Sequence, residues 1–476
     1  MEHQYDIIVI GAGSGGLSVS LFMQQAGFKT LLIDKSDHQI GGDCLNDGCV
    51  PSKALIHVSR IIHQARQAEH FGLKVDGSVD AKKVSNYISQ RQEVIRAHEN
   101  AAHFRAIGLD VALGEATFAD RNAVLVASTK YRGRKIVIAT GSKPKRLAVP
   151  GVDTVKYYDN ESIFDLSHLP TKLLVVGGGP IGIEIGQAML RLGVSVTLLQ
   201  KGRQILPNDH PMVARILEQK LKEEGMSIFL NTALLSFPTP TTATISFDGK
   251  SEMIDFDAVF VATGRESNID LLQLDKAGIE TENGQIKSDR FLRTTNKDVY
   301  VCGDVAGDLK FSHAAEHHAR IILNNLFSPM KKKQNNDHLS WVTFTDPEVA
   351  TFGLNEKQLN ERGISFTMLN TGFEDDDRAV VDDHRYSRLI LLISNGGFLK
   401  SRKLLGGTMI APNSGELIQE LILANSNNLS IDTIFNKIYP YPVASRINQK
   451  IIVDFKSKSL TPLLKKLLGI AFKIFR

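Results

Sequence analysis

Residues 5–34 read YDIIVIGAGSGGLSVSLFMQQAGFKTLLID, and this stretch decides the fold. A run of branched apolar residues leads into a glycine-rich turn, then a segment with helical apolar spacing, then a second apolar run. That order predicts a βαβ unit of a parallel sheet covered on both faces. The turn carries Gly11, Gly13 and Gly16, where missing side chains let backbone N–H groups approach a pyrophosphate. Asp34 follows Gly16 by 18 residues and ends the second strand, where an acid can bond a ribose hydroxyl.

The same pattern returns in residues 172–200, KLLVVGGGPIGIEIGQAMLRLGVSVTLLQ, which indicates an internal duplication. Two later apolar runs, KIVIATG at 135–141 and AVFVATG at 258–264, both end in Ala-Thr-Gly, so each half closes in the same way. The glycines that we assign to cofactor binding in these segments are Gly177, Gly179 and Gly182 of the second turn, with Gly141 and Gly264 after the closing strands. The chain is therefore predicted to be an α/β protein with two Rossmann-like dinucleotide-binding domains.

The second copy differs from the first at the ribose position. The same spacing from Gly182 ends on Gln200 instead of an acid, and Lys201 and Arg203 follow at once. A 2′-phosphate requires cations at this turn, so we predict that NADPH is preferred to NADH. The alternative is that both basic residues are solvated turn residues.

Bulk properties exclude several classes of protein. A length of 476 residues requires several domains, and 42% hydrophobic with 23% charged residues is typical of a globular chain. The net charge of +4, from 56 basic and 52 acidic residues, gives no reason to expect nucleic acid as a partner. Three cysteines cannot form a secreted disulfide framework, and the N-terminus shows no signal peptide. We expect a cytoplasmic protein.

Two of the three cysteines lie five residues apart, directly after the first dinucleotide unit. Cys44 and Cys49 stand in GGDCLNDGCVPSK at 41–53, and a metal site would need further ligands nearby. Their position beside a cofactor turn favours a redox-active pair. If this segment begins a helix, the helix dipole favours a thiolate.

The segment 41–53 closely resembles the active-site signature of the flavoprotein disulfide reductases, the family that includes dihydrolipoyl dehydrogenase, glutathione reductase and mercuric reductase. The resemblance covers nearly the whole chain and includes VYVCGDVAG at 299–307, FTDPEVATFG at 344–353 and LLGGTMIAPNSGELI at 404–418. It implies that the first unit binds FAD, that the second binds the nicotinamide cofactor, and that a C-terminal α+β domain forms a homodimer. The implied domains are 1–150 and 271–335 for FAD, 151–270 for NAD(P), and 336–476 for dimerisation.

The resemblance also implies roles for single residues. Cys49 would face the flavin as the charge-transfer thiol, and Cys44 would be the interchange thiol that attacks the acceptor. Lys53 and Glu184 match an ion pair beside the flavin, and Asp304 matches a residue that bonds the FAD ribityl chain.

One position departs from the family. Thiol-disulfide members carry a His-Pro motif followed by a glutamate, which supplies a base for proton transfer. Here the stretch YPYPVASRI at 439–447 puts Tyr441 in place of the histidine and Arg446 in place of the glutamate. Mercuric reductase also has a tyrosine in this region, but the pair of C-terminal cysteines by which it passes on its metal has no counterpart after Cys302. We therefore expect a mercuric-reductase-like enzyme whose acceptor is a disulfide, a metal ion or another small molecule.

Two alternatives stay open: a dihydrolipoyl dehydrogenase or other thiol-disulfide reductase that uses a different base, and a redox-sensing or membrane-docked flavoprotein. The second rests on residues 460–476, LTPLLKKLLGIAFKIFR, a basic amphipathic segment suited to an anionic lipid surface or to packing on the dimer. Three features receive structural interpretations. We expect Cys302 to be buried in its strand, the histidines at 313, 317 and 318 to bind no metal, and the acidic run 374–377 to be a solvated loop.

Overall fold

The computed structural model describes residues 2–307, 310–396, 401–458 and 460–475. It divides into two compact units. The first comprises Met1–Arg203 and Glu224–Asn335, and the second comprises Gln204–Glu223 and Asn336–Arg476. Arg476, the last residue of the predicted basic segment, lies outside the described residues.

The first 150 residues open with the β1-α1-β2 unit that the pattern predicts, and four helices and then five strands follow it. The strands are β1 Glu2–Ile10, β2 Thr30–Asp34, β3 Asp110–Leu113, β4 Ala116–Asp120, β5 Ala123–Val126, β6 Thr129–Ile138 and β7 Ser142–Pro144. The helices are α1 Ser14–Gln25, α2 Gly42–Asn46, α3 Cys49–Gln67, α4 Ala81–Arg96 and α5 Ala101–Ala106.

The next elements repeat this arrangement and add a hairpin sheet. The strands are β8 Tyr157–Tyr158, β9 Lys172–Val176, β10 Ser195–Leu199, β11 Ser227–Phe229, β12 Ala233–Thr239, β13 Thr242–Phe247, β14 Lys250–Asp255, β15 Ala258–Val261 and β16 Arg265–Ser267. The helices are α6 Pro180–Arg191 and α7 Pro211–Glu223. The remaining elements of the first unit are β17 Thr281–Glu282, β18 Gln285–Ile286, β19 Val299–Val301 and α8 Ser312–Phe327.

The first unit contains two sheets whose central strands share one parallel design, and the first sheet also carries the antiparallel strands β4 and β5. In one, β1 lies between β2 and β6 and pairs with both in parallel; in the other, β9 lies between β10 and β15 in the same way. The central strands are buried over nearly their whole length, which accounts for their continuous apolar sequences. The internal duplication is thus present in strand order as well as in sequence. β19 pairs in parallel with β6, so the segment around residue 300 returns to the first sheet.

The second unit is an antiparallel sheet with helices, the α+β architecture predicted for the C-terminal part. Its strands are β20 Ser340–Thr343, β21 Glu348–Gly353, β22 Phe366–Gly372, β23 Arg388–Ser394 and β24 Leu404–Ala411, in the order β20-β21-β24-β23-β22. Its helices, besides α7, are α9 Glu356–Glu361, α10 Asp377–Val381, α11 Ser414–Leu417, α12 Gln419–Ser426, α13 Ile431–Phe435, α14 Ile447–Lys458 and α15 Pro462–Ile474. Leu421, Ile447 and Ile451 belong to one apolar core with Leu391 of β23.

A buried carboxyl group anchors the segment 204–223 in the second unit. Asp209, just before α7, accepts hydrogen bonds from the indole N–H of Trp341 at 3.1 Å and the hydroxyl of Thr351 at 2.6 Å. Burial nevertheless raises the pKa of Asp209 to about 6. We had predicted this segment as part of the nicotinamide-binding domain. These long-range contacts explain why it groups with the C-terminal unit instead.

Candidate active site

The first glycine turn is built around a close backbone approach. β1 ends at Ile10 and α1 begins at Ser14, with Gly11 and Gly13 between them. A Cβ atom on Gly16 would lie 1.8 Å from the carbonyl oxygen of Gly11, so only glycine fits there. The turn therefore leaves the N-terminus of α1 without side chains above it. That is the backbone cradle that a pyrophosphate requires.

Asp34 and the cysteine segment both bond to this turn. The Asp34 carboxylate accepts the backbone N–H of Ala12 at 2.6 Å, and burial raises the pKa of Asp34. On the other side of the turn, the N–H of Gly41 donates to the carbonyl of Ala12 at 2.9 Å. The segment that carries the cysteines thus begins in direct contact with the predicted FAD turn. Ribose binding by Asp34 stays a prediction.

The second glycine turn repeats these contacts. A Cβ atom on Gly182 would lie 1.9 Å from the carbonyl oxygen of Gly177. Gln200 occupies the position of Asp34, since its side-chain oxygen accepts the N–H of Gly178 at 3.0 Å. Gly179, at the N-terminus of α6, leaves open space where a side chain would stand. The residues present therefore fit a second dinucleotide.

The four remaining positions that we predicted for cofactor binding at the two turns lie where their sequence patterns put them. Lys201 and Arg203 are exposed directly after Gln200, as both the phosphate-binding and the solvated interpretations require. Gly141 and Gly264 follow the closing strands in equivalent places, with φ values of +69° and +133°. Their contribution to cofactor binding stays a prediction.

The two cysteines lie at the start of the helical segment after Gly41. Cys44 is in α2, Cys49 is the first residue of the 19-residue helix α3, and both are free thiols, the reduced form of such a pair. The Cys44 thiol hydrogen-bonds to Cys49 and lowers the pKa of Cys49 to about 6, helped by Ser312 and by the charge of Lys53. The same pairing raises the pKa of Cys44. Cys49 therefore holds the thiolate, which the N-terminus of α3 also favours.

Sequence reasoning missed Ser312. Its hydroxyl oxygen lies 3.6 Å from the sulfur of Cys49, at the first position of α8. When Cys49 is a thiolate, this hydroxyl donates to it. A serine at the start of a helix carries no sequence signal for such a role, and the histidines that follow it are the stronger signal in this segment.

Lys53 and Glu184 form the ion pair that the family resemblance implies. The Lys53 ammonium lies 2.8 Å from the Glu184 carboxylate, whose side chain is only 6% exposed. A buried carboxylate without a partner would be strongly unfavourable, so this contact ties α3 to α6. The two dinucleotide halves are joined next to the cysteines. The catalytic role of the pair stays a prediction.

A series of side-chain hydrogen bonds connects Asp43, in α2, to Asp304. Arg265 bonds the carboxylate of Asp43 at 2.9 Å and the hydroxyl of Ser142 at 2.7 Å. Ser142 in turn donates to Asp304 at 2.6 Å, in the 3₁₀ turn after β19. Neither Arg265 nor Ser142 was predicted. Their positions directly after the two Ala-Thr-Gly stretches are the only sequence signal that they share.

Cys302 and His318 have partners within the protein. Cys302 is buried, as we predicted, and donates to the carbonyl of Ala315 at 3.4 Å, while burial raises its pKa. Both ring nitrogens of His318 have protein partners, Gly303 at 3.1 Å and Gln334 at 3.0 Å. In the described part of the chain, no group of three or more His, Cys, Asp and Glu residues could hold a metal ion.

In the second unit Tyr441 has a fixed partner. Its hydroxyl donates to Asp377 at 2.8 Å, and this bond raises the pKa of Tyr441. The guanidinium of Arg446 stands 5.5 Å from the centre of the Tyr441 ring, which is 66% exposed. The arrangement contains neither of the groups that form the usual acid–base dyad.

Residues 374–376 lie in a solvated turn, as predicted, and Asp377 is the first residue of α10. Asp376 accepts a backbone N–H as the N-cap of α10, Glu374 pairs with Arg388 at 2.9 Å, and Asp377 holds Tyr441. The run is exposed because carboxylates favour water, but it also begins a helix and makes side-chain contacts.

Comparison with known proteins agrees with this geometry. Residues 5–319 match the family described as pyridine nucleotide-disulphide oxidoreductase, and residues 339–451 match the dimerisation domain of the same family. Mercuric reductase of Staphylococcus aureus is 28% identical over 92% of this chain and 80% of its own length. The mitochondrial dihydrolipoyl dehydrogenase of Pisum sativum is 31% identical over 92% of this chain and 89% of its own.

A solved structure shows the same fold. The HOCl-induced flavoprotein disulfide reductase RclA from Escherichia coli superposes with a TM-score of 0.83 over 94% of this chain and 99% of its own, at 24% identity. The comparisons thus agree with the sequence and the structure on the family and the fold.

Proposed function

The chain belongs to the pyridine nucleotide-disulphide oxidoreductases, and from that premise we propose that it oxidises NADPH and delivers two electrons through Cys44 and Cys49 to a soft metal ion or a disulfide. The family assignment makes it an FAD-dependent enzyme that uses a nicotinamide cofactor. The match to the dimerisation domain supports a homodimer. The observation that carries the proposal is the placement of two free thiols five residues apart, with Cys44 in α2 and Cys49 at the start of α3, where the Ser312 hydroxyl lies 3.6 Å from its sulfur.

The two glycine turns supply the cofactor sites. Gly11, Gly16 and Asp34 would hold the FAD pyrophosphate and ribose, and Asp304, oriented by Ser142, would bond the ribityl chain. When bound, FAD supplies the two-electron transfer between the nicotinamide and the sulfur pair. The matching cradle at Gly177 and Gly182 would hold the nicotinamide cofactor, with Lys201 and Arg203 against a 2′-phosphate.

The two cysteines have different roles, because the pKa of Cys49 is lowered and the pKa of Cys44 is raised. With a disulfide acceptor, Cys44 loses its proton and attacks one sulfur, and the first acceptor thiolate leaves. Cys49 then attacks Cys44 in the mixed disulfide, which closes the Cys44–Cys49 bond and releases the second thiolate. The dithiol gives up two electrons, and the acceptor gains two electrons and two protons.

The replacement of the usual His–Glu dyad by Tyr441 and Arg446 favours a metal ion over a disulfide. Because the pKa of Cys44 is raised, its proton must be removed before it can attack, and Tyr441 is already engaged with Asp377 as a donor. A soft metal ion displaces thiol protons as it binds and needs no such base. The similarity to both mercuric reductase and dihydrolipoyl dehydrogenase is nearly equal, so the choice rests on this local argument.

The test is an anaerobic titration of the purified holoenzyme with NADPH, followed by turnover with Hg(II), Cu(II), lipoamide, oxidised glutathione, a quinone and oxygen. We expect reduction of a soft metal ion at about 10 s⁻¹ or faster and much slower turnover of both disulfides. Cys44→Ser and Cys49→Ser should each abolish it, whereas Cys302→Ala, which removes the third cysteine, should not. Lipoamide turnover at about 10 s⁻¹ would establish the dehydrogenase alternative instead.

A further inference from the structure

The C-terminal helix α15, Pro462–Ile474, has two chemically distinct faces. At 100° per residue, its lysines fall within an arc of about 100°. The apolar side chains fill the remaining arc of about 200° and continue into Phe475. The lysines are Lys465, Lys466 and Lys473, and the apolar residues are Leu463, Leu464, Leu467, Leu468, Ile470, Phe472 and Ile474.

The apolar face of α15 is exposed to solvent. Leu463 is 68% exposed, Leu467 53%, Phe472 69% and Phe475 89%, and no residue of the helix is buried. By contrast, the preceding helix α14 buries Ile447 and Ile451 in the core of the second unit. An amphipathic helix normally buries such a stripe, and a contiguous exposed apolar surface marks an interaction site.

Length and charge identify the partner surface. A helix of 13 residues is about 20 Å long and cannot cross a hydrocarbon core of about 30 Å. Among the described residues, no helix is long and apolar enough to do so. Residues 460–475 contain three lysines and no acidic residue, so the polar side complements an anionic surface. A short helix that is apolar on one side and cationic on the other is suited to lie in a membrane interface.

We propose that α15 binds the enzyme to the surface of an anionic lipid bilayer. The leucine, isoleucine and phenylalanine side chains enter the boundary between headgroups and acyl chains, and the lysines extend toward the lipid phosphates. This inference does not depend on the proposed electron acceptor. The test measures binding to vesicles instead of enzyme turnover. Membrane binding can therefore be refuted without refuting the proposed function, and the reverse also holds.

The experiment is sedimentation of the full-length holoenzyme with vesicles of phosphatidylcholine alone and of phosphatidylcholine mixed with phosphatidylglycerol. We expect binding to the mixed vesicles, weaker binding to the neutral ones, and release as ionic strength rises from about 0.1 M to about 1 M. Reversing the charge of Lys465, Lys466 and Lys473 to glutamate should weaken binding by at least about a hundredfold, because each lost basic residue costs about fivefold and each new carboxylate is repelled by the anionic surface.

Two further variants separate the contribution of the apolar face from that of the lysine charges. Leu467→Ser with Leu468→Ser should also reduce binding, since it removes apolar surface while keeping the charge. The matched control changes three exposed lysines of the first unit, Lys74, Lys82 and Lys83, to glutamate, with the same change in net charge. It should bind like the wild type.

Three outcomes would overturn the proposal: no binding to anionic vesicles, equal loss in the control, or retained binding in a chain shortened after residue 459. Light scattering of the apolar variant addresses the other possible occupant. Conversion of a dimer to a monomer, without vesicle binding by the wild type, would show that α15 packs on a second copy.

Discussion

Ser312→Ala should raise the pKa of Cys49 by about one unit. The hydroxyl of Ser312 lies 3.6 Å from the Cys49 sulfur, a long contact even for sulfur. Hydrogen bonds to charged groups contribute about 1.5–3 kcal/mol, and water can replace part of that at an exposed residue such as Cys49. We therefore take the low end, about 1.4 kcal/mol, which is one pKa unit. The titration midpoint should move from about 6 to about 7.

The assay is the pH dependence of Cys49 alkylation in the reduced protein, followed together with ultraviolet thiolate absorbance. The midpoint is the quantity to compare, because a thiolate of higher pKa is also a better nucleophile and this partly compensates the rate. Ser52→Ala is the matched control, since the Ser52 hydroxyl donates to the backbone carbonyl of Cys49 instead of to its sulfur. An unchanged midpoint in Ser312→Ala, or an equal shift in Ser52→Ala, would refute the reasoning.

Three further predictions follow from the nucleotide turn, the missing dyad and the buried carboxyl. Wild type should favour NADPH about tenfold in kcat/KM, and Lys201→Glu should erase that preference because it removes a charge-assisted phosphate contact. The control variant Lys250→Glu, which changes an exposed lysine of β14, should keep the preference for NADPH. Equal use of both nucleotides by wild type would leave Gln200 as a ribose ligand. Tyr441→His with Arg446→Glu should raise lipoamide turnover, since it restores a base; unchanged turnover would remove the missing base as the cause. Asp209→Asn should melt a few degrees above wild type at pH 7.5 and level with it near pH 4. The raised carboxyl pKa favours the folded state below the unfolded value of about 4, and up to about 3 kcal/mol of this is lost as pH rises through about 6. A lower melting temperature at pH 7.5 would show that the ionised carboxylate is stabilising.

The two dinucleotide units could be predicted because their signals are local. Strand, glycine turn and helix follow one another within about 30 residues, the length of a βαβ unit, and the approach of Gly16 to Gly11 tolerates no side chain. The family, the cofactors and the fold class were predicted from these motifs and confirmed by the comparisons.

What could not be predicted depends on distant partners. The segment 204–223 follows the second βαβ unit in sequence, but Asp209 bonds to Trp341 and Thr351, more than a hundred residues away. Composition predicted the solvation of the acidic run correctly, but it says nothing of the contact between Asp377 and a tyrosine 64 residues further on. Ser312 was missed because a hydroxyl becomes relevant only when folding brings it to a sulfur.

Trp341, which donates a hydrogen bond to Asp209, is an intrinsic fluorescent probe of the second unit. The chain has a single tryptophan, and its indole is held in the second unit by a carboxyl group that titrates near pH 6. Tryptophan emission therefore reports on that unit, whereas the yellow colour of bound FAD reports on the first. Heating the holoenzyme while both signals are recorded would follow the loss of each unit separately, with no added dye. Coincident curves would indicate that the units unfold together, and separated curves would give the order.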